Sequence, residues 1–163
     1  MKSIEKEMEM STTKKRILAF LAVFASFAGF ALISAPAASA GGYGCSGSLI
    51  DSYSMKNGST TWGTTYLYYD SSTGNNCAVA VKGSAGYAGT ATQTTVYLQR
   101  CASSTPGNCG GIEKTSSDVG NYTSYAGPVS LNAAGHCIQV TASIWNPAHT
   151  VVASTVQTGV HCG

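Results

Sequence analysis

Hydrophobic residues follow two different patterns along this chain of 163 residues. Residues 17–33 form an unbroken run of apolar and small residues, whereas from Gly41 onward apolar and polar residues alternate in short segments. Strict alternation is typical of a β-strand with one buried face, because successive side chains point to opposite sides. No segment after Gly41 keeps helical spacing over about 11 residues. The pattern therefore predicts an all-β domain.

The segment from Trp62 to Val81 is predicted to form a β-hairpin. Its first arm, residues 62–69, is rich in Trp, Tyr and Thr, which fit a half-buried pleated surface. Residues 70–76 supply the Asp, Ser, Gly and Asn that favour a turn. The second arm alternates over residues 77–82, which predicts one buried face made of Cys77, Val79 and Val81.

Six or seven strands are predicted in all, separated by turns rich in Gly, Ser and Asn. Several short strands at this spacing predict a single antiparallel sandwich or small barrel. Pro128 favours an edge position for its strand, because proline cannot donate to a sheet ladder. Besides the hairpin, the predicted strands are Ser48–Tyr53, Thr92–Cys101, the extended stretch of Asp118–Tyr125 and Gly127–Leu131, His136–Ile144, and Val151–His161.

Residues 1–40 carry the features of a secretory signal peptide. Basic residues 14–16 precede the apolar run, and Ala38-Ser39-Ala40 matches a small-residue cleavage site. We therefore expect residues 1–40 to be cleaved and residues 41–163 to form one secreted domain, with an uncleaved membrane anchor as the alternative. After cleavage we expect no membrane attachment. Met1, Met8 and Met10 are each possible start sites.

Charge in residues 41–163 is balanced, so the net charge of +2 belongs to the leader. A domain without a basic patch lacks the electrostatic footprint of nucleic-acid binding, so we expect no nucleic-acid partner. We expect a monomer. The charged residues are Lys56, Lys82, Arg100 and Lys114, opposed by Asp51, Asp70, Glu113 and Asp118.

All six cysteines follow the predicted cleavage site, which indicates an oxidising compartment and three disulfides. No Cys-x2-Cys pair is present and the histidines lack ligand spacing, so neither a metal nor another cofactor is predicted. Six cysteines permit 15 pairings. If neighbouring segments pair as antiparallel strands, Cys45 and Cys77 share one end, and so do Cys137 and Cys162. Cys101 and Cys109 bracket the loop of residues 102–108. The predicted pairing is therefore Cys45–Cys77, Cys101–Cys109 and Cys137–Cys162.

Six short sequence phrases stand out along residues 43–163: Gly44–Asp51, Thr65–Tyr69, Ser71–Val79, Tyr125–Val129, Ala134–Ile138 and His161–Gly163. Taken in this order, they resemble the spore-associated protein A family, small secreted proteins of sporulating filamentous bacteria. The resemblance implies secretion, association with the spore or cell surface, and no established enzymatic activity. Cys45, Cys77, Cys137 and Cys162 match the family pattern, whereas Cys101 and Cys109 are an addition to it, together with the loop between them.

A small secreted hydrolase or ribonuclease is one alternative function. Its acid, base and anion-binding groups would come from Glu113, His136, His161, His149 and Arg100. General acid–base chemistry requires such groups within hydrogen-bond reach of one substrate, and no nucleophile or metal motif accompanies them. We therefore assign no catalytic residue and predict that the protein is not an enzyme.

A carbohydrate- or cell-wall-binding module is the second alternative. The possible ligand-binding residues are aromatic and lie on the hairpin: Trp62, Tyr66, Tyr68 and Tyr69. Alternation sends Tyr66 and Tyr68 to one side of the strand and Tyr69 to the other. The competing interpretation is that these rings form the core. We expect a secreted, disulfide-stabilised, all-β surface protein, whose possible partner is a cell-wall or spore-surface polymer.

Overall fold

The computed structural model describes residues 41–163, and the predicted signal peptide, residues 1–40, lies outside the described residues. The described chain is all-β, as predicted, with one turn of 3₁₀ helix at Ser84–Gly86. The eight strands are β1 (Ser48–Asn57), β2 (Thr60–Asp70), β3 (Asn75–Lys82), β4 (Thr92–Cys101), β5 (Ile112–Tyr122), β6 (Tyr125–Asn132), β7 (Ile138–Trp145) and β8 (Val152–Val160).

The strands form one antiparallel sheet in the order β5-β4-β7-β8-β1-β2-β3-β6. The end strands β5 and β6 are consecutive in the chain, and the Gly127 N–H of β6 donates to the Asp118 carboxylate of β5 at 2.7 Å. The sheet therefore curls into a nearly closed barrel, within the fold class that the alternation predicts. Between β1 and β8 a single pair, Lys56 with Ser154, is in ladder register. Along the rest of their length these two strands are not joined by a ladder.

The main core fills the inside of this sheet. The alternation predicted for Thr92–Cys101 and His136–Ile144 is confirmed, because one side of each strand is fully buried. On the facing strands, Met55 of β1 and Leu67 of β2 complete the same apolar cluster. The residues of β4 and β7 with no exposed surface are Thr94, Val96, Leu98, Cys101, Ile138, Val140, Ala142 and Ile144.

The prediction of one buried face for the second hairpin arm is wrong, because β3 is buried on both sides. Ala78 and Ala80 belong to the main core, whereas Cys77 and Val79 pack in a second cluster with Cys45 and Tyr68. The Cys45–Cys77 disulfide holds the segment before β1 against β3. That segment covers a sheet face that would otherwise meet solvent.

Two strand boundaries also differ from the prediction. β1 continues to Asn57, because the turn that follows it needs only Gly58 and Ser59. β5 begins at Ile112, whereas the predicted strand began at Asp118. β5 is an edge strand with many exposed side chains, so its polar sequence lacks the alternation that a half-buried strand shows. The edge position expected from Pro128 is confirmed, since β6 ends the sheet.

The three disulfides have the predicted pairing, Cys45–Cys77, Cys101–Cys109 and Cys137–Cys162. The last two lie at the same end of the barrel, where the Cys101 N–H donates to the Cys137 carbonyl at 2.9 Å. The Cys101–Cys109 bond closes the loop before β5. This loop also contacts β8, because the Gly107 N–H donates to the Gly159 carbonyl at 2.8 Å.

Candidate functional site

One cluster of titratable side chains bridges β1 and the end of β8. Asp51 and Tyr53 are two residues apart on β1, so their side chains share one side of the strand. The Tyr53 hydroxyl donates to Asp51 Oδ2 at 2.8 Å and lies 3.1 Å from His161 Nε2. His161 Nε2 also lies 3.2 Å from Asp51 Oδ2. The three side chains join two strands that the sheet ladder leaves mostly unpaired.

The environment of this cluster shifts two pKa values in opposite directions. Burial raises the pKa of Tyr53, and its hydrogen bond to the Asp51 carboxylate raises it further. Burial also raises the pKa of Asp51, but hydrogen bonds from Tyr53, the Ser52 N–H and His161 outweigh it. The net pKa of Asp51 is lowered. Near neutral pH the cluster therefore holds a carboxylate and a neutral phenol.

A pocket of about 260 Å³ lies beside this cluster. Ile50 and Tyr69 give it apolar surface, while Asn76 and His161 supply polar groups. Tyr69 is thus the one hairpin tyrosine of the predicted set that lines this pocket. The remaining lining residues are Cys162 and Gly163.

Three of the residues predicted for the hydrolase alternative, Arg100, Glu113 and His136, lie together. Glu113 meets Arg100, with Oε2 3.0 Å from Nη2, and lies 3.8 Å from His136 Nδ1. His136 Nδ1 is closer to the Cys101 carbonyl, at 3.0 Å. His161 has the different partners described above, and His149 stacks on Trp145 with ring centroids 6.2 Å apart. Sequence reasoning did not identify Asp51 and Tyr53, although their spacing of two in a predicted strand is a usable signal.

The aromatic residues predicted as a binding platform do not form one exposed surface. Trp62 and Tyr68 are buried, with 8% and 6% of their surface exposed. Trp62 packs edge-on against Tyr87 at a centroid distance of 5.3 Å. Tyr66 stacks on Tyr43, at 5.7 Å between ring centroids. The packing therefore supports the core interpretation for Trp62 and Tyr68.

A broad surface on the outward side of β5, β4, β7 and β8 was not predicted; we call it the neutral face. On β4 and β7 its residues alternate with fully buried residues of the core, so they point away from it. The register with these strands places the listed residues of β5 and β8 on the same side. None of them is charged, and Lys56 on β1 lies at the margin, in register with Ser154. Strand by strand, the face comprises Thr115, Ser117, Val119, Asn121, Gln93, Thr95, Tyr97, Gln99, Gln139, Thr141, Ser143, Trp145, Val152, Ser154, Val156 and Thr158.

Within residues 41–163 there is no group of three or more His, Cys, Asp or Glu side chains arranged to hold a metal ion. No helix in the described part of the chain has the length and apolar character needed to cross a membrane. The described side chains thus offer three surfaces for a function. They are the Asp51–Tyr53–His161 cluster with its pocket, the Arg100–Glu113–His136 group, and the neutral face.

Comparison with curated proteins finds a relative. Over 116 residues the chain is 36% identical to the Spore-associated protein A of Streptomyces coelicolor. The aligned region covers 66% of this chain and 66% of that protein, just under two thirds of each. No family model matches the chain, and no solved structure matches it.

Proposed function

Because this chain belongs to the spore-associated protein A family, we propose that it is a secreted, non-catalytic protein of the spore or cell surface. The observation that carries the proposal is the 36% identity to Spore-associated protein A. The name of that relative suggests the location. A leader with signal-peptide features, residues 1–40, supports secretion.

The disulfides support an extracellular location. All six cysteines of the described residues are paired, in three disulfides. Structural disulfides persist in oxidising compartments and are rare where thiols are kept reduced. A domain cross-linked in this way suits the surface of a cell or spore.

The arrangement of the titratable groups supports a non-catalytic role. A hydrolase would need its acid and base within reach of one substrate. Glu113 and His136 lie 3.8 Å apart, but Glu113 pairs with Arg100 at 3.0 Å and His136 lies 3.0 Å from the Cys101 carbonyl. His161 bonds Asp51 and Tyr53. Each group is held by local partners that also explain it as part of the fold.

The location is tested by immunodetection in the producing organism. An antibody raised against residues 41–163 should label intact spores or the outer cell surface, and should detect the cleaved chain in the culture medium. A variant lacking residues 2–40 is the matched control and should stay inside the cell. Full-length chain confined to the cytoplasm of the unaltered strain would contradict the proposal.

The absence of catalysis needs its own experiment. The purified chain and the variants His136→Ala and His161→Ala should behave alike in screens for ribonuclease, glycosidase, esterase and peptidase activity, with no turnover above the blank. An activity of the unaltered chain that His136→Ala or His161→Ala abolishes, in a folded protein, would identify an enzyme.

A further inference from the structure

We propose that the neutral face binds an uncharged, hydroxyl-rich polysaccharide. This inference deepens the proposed function and rests on it, because it names the chemistry of the surface polymer that the protein would contact. The neutral face differs from the hairpin aromatics and the titratable clusters in both position and chemistry. Three features of the face support the proposal: the absence of charge, the order of its amide and hydroxyl groups, and its exposed apolar surface.

The charge of the neutral face determines which class of polymer it can bind. The sixteen residues of the neutral face include no acidic or basic side chain, although the domain has eight such residues (four Lys or Arg and four Asp or Glu). The nearest charged position on β5 is Glu113, two residues before Thr115 at the end of the face. Arg100, Glu113 and Lys114 lie at the end of β4 and the start of β5. A phosphate-rich or nucleic-acid polymer would find no complementary charge on the face, since such partners are held largely by Lys and Arg. A neutral polymer imposes no such requirement.

Side-chain amides and hydroxyls form a continuous chain of hydrogen bonds across the face. Gln99 Nε2 donates to Thr115 Oγ1 at 3.2 Å, which joins β4 to β5. Gln139 Nε2 donates to Gln99 Oε1 at 2.9 Å, and Thr158 Oγ1 donates to Gln139 Oε1 at 3.1 Å. These bonds fix the orientation of both amides across four strands. Each amide has two N–H donors and an oxygen with two lone pairs, so hydrogen-bonding groups remain that these bonds do not use and that a ligand could meet.

The next rows of the face add ordered hydroxyls and apolar contact area. The Ser143 hydroxyl lies 2.7 Å from the hydroxyl of Thr95 on the adjacent strand. Thr95 is buried, with 7% of its surface exposed, so Ser143 is the more accessible of the two. Tyr97 is half-buried in the middle of the face, and Val119 and Val156 are 47% and 57% exposed. A sugar ring presents hydroxyls at its edge and C–H groups on its faces. Pre-oriented amides and hydroxyls beside tyrosine and valine side chains match both kinds of surface.

The dimensions of the neutral face suit an extended polymer. Neighbouring strands lie about 4.8 Å apart, so four strands span about 14 Å. Outward residues repeat about every 6.8 Å along a strand. The face therefore offers parallel rows of polar groups, which a linear chain of repeating sugars can contact at several points at once.

The test is retention of the purified, disulfide-bonded chain on insoluble cellulose and chitin. The unaltered chain should be retained equally in low and high salt, because screening by salt weakens only charge-based adsorption. Val156→Glu places a charge at an exposed site of the face, and should weaken retention about tenfold. Leu49→Glu is the matched control, since Leu49 is exposed to a similar extent, 53%, but lies on β1 outside the face. It should leave retention unchanged.

A second variant removes the aromatic contact without adding charge. Tyr97→Ala should also lower retention about tenfold, as truncation of a central aromatic anchor commonly does. Circular dichroism and urea denaturation establish that each variant is folded before binding is measured.

Three results would overturn the inference. One is that cellulose and chitin both fail to retain the unaltered chain. Another is that Val156→Glu and Leu49→Glu lower retention equally. The third is a dimer in sedimentation that Val156→Glu dissociates without any polysaccharide binding, which would assign the face to a second copy of the chain. A chain that labels spores but fails to bind would leave the proposed location intact, so the two proposals fail separately.

Discussion

The Tyr53 hydroxyl lies between the Asp51 carboxylate and the His161 imidazole, and it links β1 to the end of β8. Burial and the neighbouring carboxylate raise its pKa above the ordinary value of 10.0. The fold therefore favours the neutral phenol more than the unfolded chain does. The stability from this difference is fully present below pH 10 and is lost as pH rises toward the folded-state pKa.

Replacing Tyr53 by phenylalanine keeps the ring and removes the hydroxyl. We expect the free energy of unfolding near neutral pH to fall by about 1 kcal/mol, because the bonds to Asp51 and His161 are lost. Above pH 10 the variant should lose stability less steeply than the unaltered chain, since one raised tyrosine pKa is gone. Urea denaturation across neutral and alkaline pH measures both effects. Tyr43→Phe is the control, and an equally steep alkaline loss in the unaltered chain and the Tyr53 variant would contradict the expectation.

Lys82 shows why some residue roles are not readable from local pattern. Its position in the hairpin predicts an outward polar side chain, yet only 6% of the residue is exposed. Its ammonium donates to the Thr90 carbonyl and to Thr92 Oγ1, each at 2.7 Å, and to the Tyr122 carbonyl at 3.0 Å. Burial lowers its pKa. These acceptors come from other parts of the chain, so the alternation within the hairpin could not predict them.

The turn between β2 and β3 is set by its own residues and by one contact from β6. Asp70 Oδ1 accepts from the Ser72 N–H at 2.9 Å, and the Gly74 N–H donates to the Asp70 carbonyl at 2.8 Å. Gly74 adopts a left-handed conformation, with φ of +71°. Asn132 of β6 donates to the Thr73 carbonyl at 2.7 Å. The turn residues could be predicted from composition, whereas the Asn132 contact required the fold.

Gly74→Ala should destabilise the protein more than Gly58→Ala. Both glycines have positive φ, so alanine costs about 1 kcal/mol at either site from backbone strain. A Cβ at Gly74 would lie 2.9 Å from Asn132 Nδ2, whereas nothing lies within 4 Å of one at Gly58. Displacing Asn132 should cost about 1 kcal/mol more. Thermal and urea denaturation compare the two variants, and equal losses would show that Asn132 moves freely.

Strands with one buried and one solvated side were easier to predict than strands whose two sides have similar surroundings. β4 and β7 alternate visibly because each has one side in the core and one side in water. β5 lies at an edge and its sequence is largely polar, so no alternation marked its first half. β3 does alternate, but it is covered on both sides, so its alternation did not identify a single buried face. Alternation of apolar and polar residues shows that one side of a strand is buried and the other is solvated. It does not predict burial correctly where both sides of a strand have similar surroundings.

The three disulfides close loops of different lengths. Cys45–Cys77 closes a separation of 32 residues, whereas Cys101–Cys109 closes one of 8. A disulfide stabilises the fold by lowering the conformational entropy of the unfolded chain, and this effect grows with loop length. The expected stabilisation is about 3.7 kcal/mol for the longer loop and about 2.5 kcal/mol for the shorter. The longer bond also holds the segment that covers the outer side of β3.

Removal of the Cys45–Cys77 bond should therefore destabilise the domain more than removal of Cys101–Cys109. The double variants Cys45→Ala/Cys77→Ala and Cys101→Ala/Cys109→Ala should differ by at least about 1 kcal/mol in the free energy of unfolding. Urea denaturation of the oxidised proteins provides the comparison. The Cys101–Cys109 variant is the matched control, and a larger loss from that variant would show that its loop contributes more to the fold than chain entropy predicts.

The sequence by itself determined the all-β class, the buried residues of β4 and β7, the pairing of the cysteines and the family resemblance. These features follow from alternation, from turns between neighbouring strands, or from short ordered phrases. Tertiary structure alone decided that β5 and β6 meet, that Lys82 is buried, and that the neutral face spans four strands. It also brought Tyr53 to His161, 108 residues away. Such contacts depend on closure of the whole sheet, and no local pattern of residues encodes which distant strand edges will meet.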